Sequence, residues 1–146
     1  MVFSQKIGKI EVNNNKIFSD EEIEEWAGLN EGQNFFNGIL DSSYSRISQA
    51  LTYNGYFNFS FEGSQIEFSS DSQQVNLILI VDEGQPTIVK NIFISSSDSL
   101  NIENYISSFD YLKGEIFNRY EVESIIGELL KNLENRGFQD LLKVHL

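Results

Sequence analysis

Apolar and polar positions change their period several times along the chain, and each change predicts an element. Ile7–Val12 alternates, with Gly8, Ile10 and Val12 on one face and Lys9 and Glu11 on the other, the pattern of a half-buried strand. Asn13-Asn14-Asn15 is a turn cluster, because asparagine tolerates left-handed backbone and bonds locally. Ser19-Asp20-Glu21-Glu22 then has the spacing of a capping box, and Ile23, Trp26 and Ala27 supply the i, i+3, i+4 face of a short helix. Leu29–Phe35 is a loop in which Gly32 is available for positive φ. Leu40, Tyr44, Ile47 and Leu51 stripe a second helix, with Gly55 at its C-cap. Alternation returns in Tyr56–Glu62, which sets Phe57, Phe59 and Phe61 against Tyr56, Asn58, Ser60 and Glu62; Ile66-Glu67-Phe68 continues this strand after a bulge at Gly63. Val75–Val81, apolar except for Asn76, is a strand returning antiparallel, stopped by Asp82-Glu83-Gly84 and by Pro86, which has no amide hydrogen to give a sheet. The predicted order is β-α-α-β-β, an α+β fold with a small mixed sheet and two helices on one face.

The pattern then starts again. Displacing the sequence so that Ile10 falls on Ile92 also brings Gly32 onto Gly114, Phe35 onto Phe117, Leu51 onto Leu133 and Gly55 onto Gly137, without a gap. In the second copy Ile88–Ile94 is the expected first strand. Asn101 caps a helix bearing Ile102, Tyr105, Ile106 and Phe109. Val122, Ile126, Leu129, Leu130 and Leu133 stripe the long helix up to Gly137, and Phe138–Leu146 begins the second strand. Two domains are therefore expected, 1–84 and 85–146. In this register Leu146 falls on Ser64, so the second is expected to lack a counterpart of Val75–Val81 and to be truncated at its C-terminus.

Charge narrows the list of partners. A formal net charge of −12 argues against nucleic acid and against anionic membrane surfaces, both of which need clustered lysine and arginine. The absence of cysteine removes disulfides, thiolate metal sites and a cysteine nucleophile. No apolar run is long enough for a membrane-spanning helix, and the amino terminus lacks a basic-then-apolar signal pattern. Candidate chemistry is thin. His145 has no ligand or base partner at motif spacing. The acidic run Asp20–Glu25 lacks the Asp/Asn alternation and central glycine of a calcium loop and reads as a dipole-compatible helix start. Asn58-Phe59-Ser60 fits a glycosylation sequon inside a strand. A binding module is expected rather than an enzyme, with no catalytic residue, metal or cofactor. A carboxylate enzyme on an α+β scaffold is the contrasting class, and nothing in the chain favours it.

Several of these stretches resemble a known family. Val81-Asp82-Glu83-Gly84 followed by Val89-Lys90-Asn91-Ile92 is similar to the junction between consecutive POTRA domains, the periplasmic polypeptide-transport-associated repeats of BamA-like outer-membrane β-barrel assembly factors and related translocases. The Ser19–Ile23 helix start, the Leu29…Glu31-Gly32…Phe35 loop and Tyr53-Asn54-Gly55-Tyr56 resemble the family too; the second copy departs with Asn135-Arg136 before Gly137. The resemblance implies a periplasmic portion of an outer-membrane protein whose parent carries a C-terminal membrane barrel. The implied partners are unfolded outer-membrane proteins and assembly lipoproteins. They would be bound by strand addition to the edge formed by Tyr56, Phe57, Asn58, Phe59, Ser60, Phe61 and Glu62, and by Phe138–Leu146 in the second copy. Glu83, Gly84, Gln85 and Pro86 would form the interdomain junction. The alternative within the fold is a cell-division or secretion protein with one fixed partner.

Overall fold

The computed structural model describes residues 5–94 and 107–136. Contacts divide the chain into two compact units: the chain up to Thr52 together with Tyr56–Pro86, and Tyr53–Gly55 together with the chain from Thr87 onward.

In the first unit, β1 (Lys6–Asn13), α1 (Asp20–Ala27), α2 (Ile39–Tyr53), β2 (Gln65–Phe68) and β3 (Gln74–Ile80) follow the expected order. The sheet runs β1-β3-β2, with β1 parallel and β2 antiparallel to the central β3. Val75, Leu77 and Leu79 alternate with half-buried residues along β3, so one face of the strand enters the core and meets the helices. Ser19 caps α1 as a full capping box, and Gly28 closes it in left-handed conformation at φ 63°. Arg46, on α2, donates through Nε to the Ala27 carbonyl at 2.9 Å, which ties the end of α1 to α2.

Three expectations are corrected. Gly8 does not face the core: the β1–β3 register shifts between Ile7 and Ile10, and Ile7 is buried in its place. The Asn76 side chain fills the irregularity, its Oδ1 accepting from the Lys9 amide at 2.9 Å and lying 2.6 Å from where a Gly8 Cβ would stand. On α2 the buried line is Ile39, Ser43, Ile47 and Leu51, while Leu40 and Tyr44 lie at its margin. Ser43 is tolerated there because its hydroxyl donates to the Ile39 carbonyl at 2.8 Å. Finally, Tyr56–Glu62 is not a regular strand. It holds isolated bridges at Tyr56/Pro86 and Ser60/Asp82, and the regular ladder begins only at Gln65.

The Tyr44 ring stacks on Phe61 at 4.6 Å. Its hydroxyl is buried without a hydrogen-bond partner of acceptable geometry among the described residues, although Ser64 lies close enough to influence it. Burial raises its pKa. Tyr44→Phe is therefore expected to leave stability unchanged or to raise it by about 0.5–1 kcal/mol in a denaturant titration, because an unmet polar group is removed while the stacked ring stays.

The second unit shows the expected register in its hydrogen bonds. In the first unit Ile7 N–H donates to Gln33, Gly32 N–H to Ile7, and Phe35 N–H to Gln5. Val89 N–H to Glu115, Gly114 N–H to Val89, and Phe117 N–H to Thr87 repeat this set at the aligned positions. Gly32 and Gly114 share positive φ, 79° and 89°. A 3-10 helix, Ser107–Leu112, buries Phe109 and Leu112. It leads to α3 (Arg119–Asn135), capped by Asn118, whose side chain accepts from the Glu121 amide at 3.2 Å. The expected strand Ile88–Ile94 is reduced to one bridge, Ile88/Ile116: among the described residues it has no ladder partner, and an extended segment without one is not a strand. Asn101, Ile102, Tyr105 and Ile106, together with Gly137, Phe138–Leu146 and His145, lie outside the described residues.

Candidate functional site

A three-stranded sheet has two edges, and here they differ in chemistry. The outer side of β1 is closed by the chain itself at its beginning, Gln5–Ile7. The Gly32–Phe35 loop runs against its beginning, with Ile7 N–H to the Gln33 carbonyl at 2.8 Å, Gly32 N–H to the Ile7 carbonyl at 2.7 Å, and Phe35 N–H to the Gln5 carbonyl at 2.8 Å. Lys6 Nζ reinforces the closure by donating to Asn34 Oδ1. Gly32 makes this possible, since the loop turns at φ 79°.

The opposite edge is open. All four residues of β2 are exposed, and among the described residues no backbone group pairs with its outer side. An antiparallel strand with one neighbour leaves alternate N–H and C=O groups pointing outward. Ile66 and Phe68 pair directly with the core residues Leu77 and Val75, so they lie on the helix-facing side of the sheet. Yet they are 40% and 58% exposed, because the edge strand extends beyond the helical cover.

Upstream, the chain at Tyr56–Glu62 runs beside Asp82–Pro86. Ser60 N–H donates to the Asp82 carbonyl at 2.8 Å and Asp82 N–H to the Ser60 carbonyl at 2.9 Å. This pairing is one residue out of register with Gln65–Phe68 on β3, and Gly63 at φ 87° takes up the difference. Between the two bridges Gly84 faces Asn58, and a Cβ on Gly84 would overlap the Asn58 carbonyl. The Glu-Gly pair at the end of β3 thus serves the interior of the unit. Glu83 is almost wholly buried, and its Oε1 accepts from the amides of Lys16, Ile17 and Phe18 at 3.0, 3.1 and 3.3 Å. Three successive N–H groups hold one carboxylate.

The predicted edge residues separate accordingly. Tyr56 is a core residue: it is 4% exposed, its ring meets Phe18 edge-on at 5.3 Å, and its N–H closes the end of α2 on the Leu51 carbonyl at 2.9 Å. Its pKa is raised by burial first and then by the Glu83 charge. Phe59 and Phe61 turn inward against the core, whereas Phe57 is 46% exposed, so the tidy alternation fails where the chain crosses Gly84. Asn58, Ser60 and Glu62 are exposed. Of the predicted junction, Glu83 and Gly84 are held as described, Pro86 pairs with Tyr56, and Gln85 is exposed. Sequence reasoning took Ile66-Glu67-Phe68 as a continuation of Tyr56–Glu62 and gave Gln65 no role; the alternating apolar pair Ile66 and Phe68 was the available signal.

No group of histidine or acidic residues is arranged to hold a metal among the described residues. The acidic start of α1 is a helix face: the Glu24 carboxyl has its pKa raised by burial, then by Asp20, Glu21 and Glu31. No helix among the described residues is long and apolar enough to cross a membrane.

A family model, POTRA (surface antigen variable number repeat), matches residues 5–84. The chain belongs to the POTRA family. The matched span ends on the Glu83-Gly84 pair, two residues before Pro86, where the first unit ends. Among curated proteins, the outer membrane protein assembly factor BamA of Buchnera aphidicola subsp. Acyrthosiphon pisum is 22% identical over 142 residues, 91% of this chain. The chain spans 23% of that relative's length. Among solved structures, Haemophilus influenzae BamA POTRA3-5 aligns with a TM-score of 0.58 at 17% identity, covering 88% of this chain and 54% of that one. POTRA1-2 of the periplasmic domain of Omp85 from Anabaena aligns with a TM-score of 0.50 at 17% identity, covering 98% and 88%. These likenesses place the fold as that of POTRA repeats.

Proposed function

We propose that this chain is a periplasmic, non-catalytic partner-binding arm of an outer-membrane β-barrel assembly or translocation factor, built from consecutive POTRA domains at 1–84 and 85–146. Its first domain takes an extended segment of another protein as a fourth strand beside β2. The observation that carries this reading is the asymmetry of the sheet: the start of the β1 edge is occupied by Gly32–Phe35, whereas the β2 edge offers unpaired backbone along its whole length next to Ile66 and Phe68. Strand addition satisfies backbone groups without demanding one side-chain sequence, which suits a module that meets unfolded outer-membrane proteins. Each such contact is weak, and repetition along the parent chain raises the effective concentration.

The test is a pair of variants titrated with an extended peptide of alternating apolar residues. Ile66→Lys/Phe68→Lys is expected to weaken binding by about tenfold or more, since the apolar row beside the new strand is lost. Asn34→Lys on the closed edge is expected to leave binding within about twofold, as it touches no docking backbone. Equal losses from both would remove the β2 edge from the account.

A further inference from the structure

The open edge has two faces of different chemistry. On the helix side it presents Phe59, Phe61, Ile66 and Phe68. On the other side stand Gln65 and Glu67, with Ser60 opposite Asp82 upstream and the exposed Glu62 in the turn between them. No lysine or arginine occurs anywhere between Arg46 and Lys90, so neither carboxylate has a basic neighbour within its own hairpin. Of the cations on the far strand β1, Lys9 is engaged by Glu11 on its own strand and Lys6 by Asn34. Adjacent strands lie about 5 Å apart, so the width of β3 separates Lys9 from Glu67.

We infer that the β2 edge selects strands by charge as well as by apolar alternation: its preferred occupant carries Lys or Arg on the face opposite its apolar residues. The inference rests on the strand-addition reading above and gives it a chemical preference. Residues directly opposite across an antiparallel pair are close enough for opposite charges to stabilise and like charges to destabilise. An added strand with apolar side chains beside Ile66 and Phe68 turns its alternate residues toward the face of Gln65 and Glu67, near the exposed Glu62. A basic residue there meets the edge's uncompensated charge. An acidic residue meets repulsion in a chain whose net charge is already −12.

The experiment uses the full chain and two synthetic peptides with the same alternating apolar residues, one with lysine and one with glutamate at the intervening positions. Binding is followed by the backbone amide shifts of Gln65–Phe68 at low and high salt. The lysine peptide is expected to bind about three- to tenfold more tightly at low salt, and the gap should close at high salt. Glu62→Lys/Glu67→Lys, both exposed positions that leave the core intact, is expected to invert the order. If both peptides shift Gln65–Phe68 with equal affinity, charge selection is wrong and strand addition stands. If neither shifts those amides, the underlying docking reading fails.

Discussion

Glu83→Ala is expected to lower the stability of the first unit by about 3–5 kcal/mol. The substitution strips the Lys16, Ile17 and Phe18 amides of their common acceptor in a part-buried segment, where Glu83 itself is almost wholly buried, and each orphaned donor carries a desolvation cost. It also unties the segment that delivers Phe18 to the Trp26 and Tyr56 rings. Glu83→Gln separates the two contributions. Its amide oxygen can stand at the Oε1 position and keep all three bonds, while its NH2 group must face the Lys16 amide that Oε2 now accepts at 3.1 Å. A smaller loss, about 1–2 kcal/mol, is expected. The chain has one tryptophan, Trp26, and it packs in this unit, so its fluorescence in a denaturant titration reports on the right region. Equal losses for alanine and glutamine would mean that the acceptor geometry is not what matters.

Gly84→Ala is expected to cost about 3 kcal/mol, with two causes that a control can divide. The backbone at Gly84 has φ 69°, a conformation in which any L side chain is strained, and its Cβ would overlap the carbonyl of Asn58. Gly32 also has positive φ, yet nothing lies within 4 Å of a Cβ placed there. Gly32→Ala should therefore show the conformational term alone, about 1 kcal/mol. The excess at Gly84 measures the close crossing of the edge segment over the end of β3. Because that crossing holds Ser60 against Asp82, the alanine variant is also expected to speed amide exchange at Ser60 and Asp82 before it affects β3. Matching losses at the two glycines would show that Asn58 yields freely.

Much of the architecture is legible in the residues, because backbone chemistry leaves periodic marks. The Ser19–Glu22 box, the β3 run and the repeat register are all set by local or translational patterns. What eluded the pattern depends on partners distant in sequence. Gly8 looked like a core position because strict alternation allows no irregularity; the displacement arises from Asn76 on a strand many residues away. Tyr56 looked like a polar-face residue because strict alternation grouped it with Asn58, Ser60 and Glu62, yet Phe18 and Leu51 hold it inside. Glu83 carried no signal of burial, since its acceptors' partners are backbone amides, which no side-chain pattern encodes. Edge status was legible only in part: the sequence marks β2 as short and apolar on one side, while closure of β1 by Gly32–Phe35 is a matter of tertiary packing.

The central claim is that one sheet edge receives and the other does not. Amide hydrogen exchange of the full chain, with and without a saturating peptide of alternating apolar and lysine residues, tests it most directly. The outward-pointing amides of Gln65–Phe68 should slow markedly on binding, because a new strand accepts their hydrogens, while the amides of Lys6–Asn13 and Gly32–Phe35 should keep their free-state rates. Protection that appears along β1 instead, with β2 unchanged, would contradict the account.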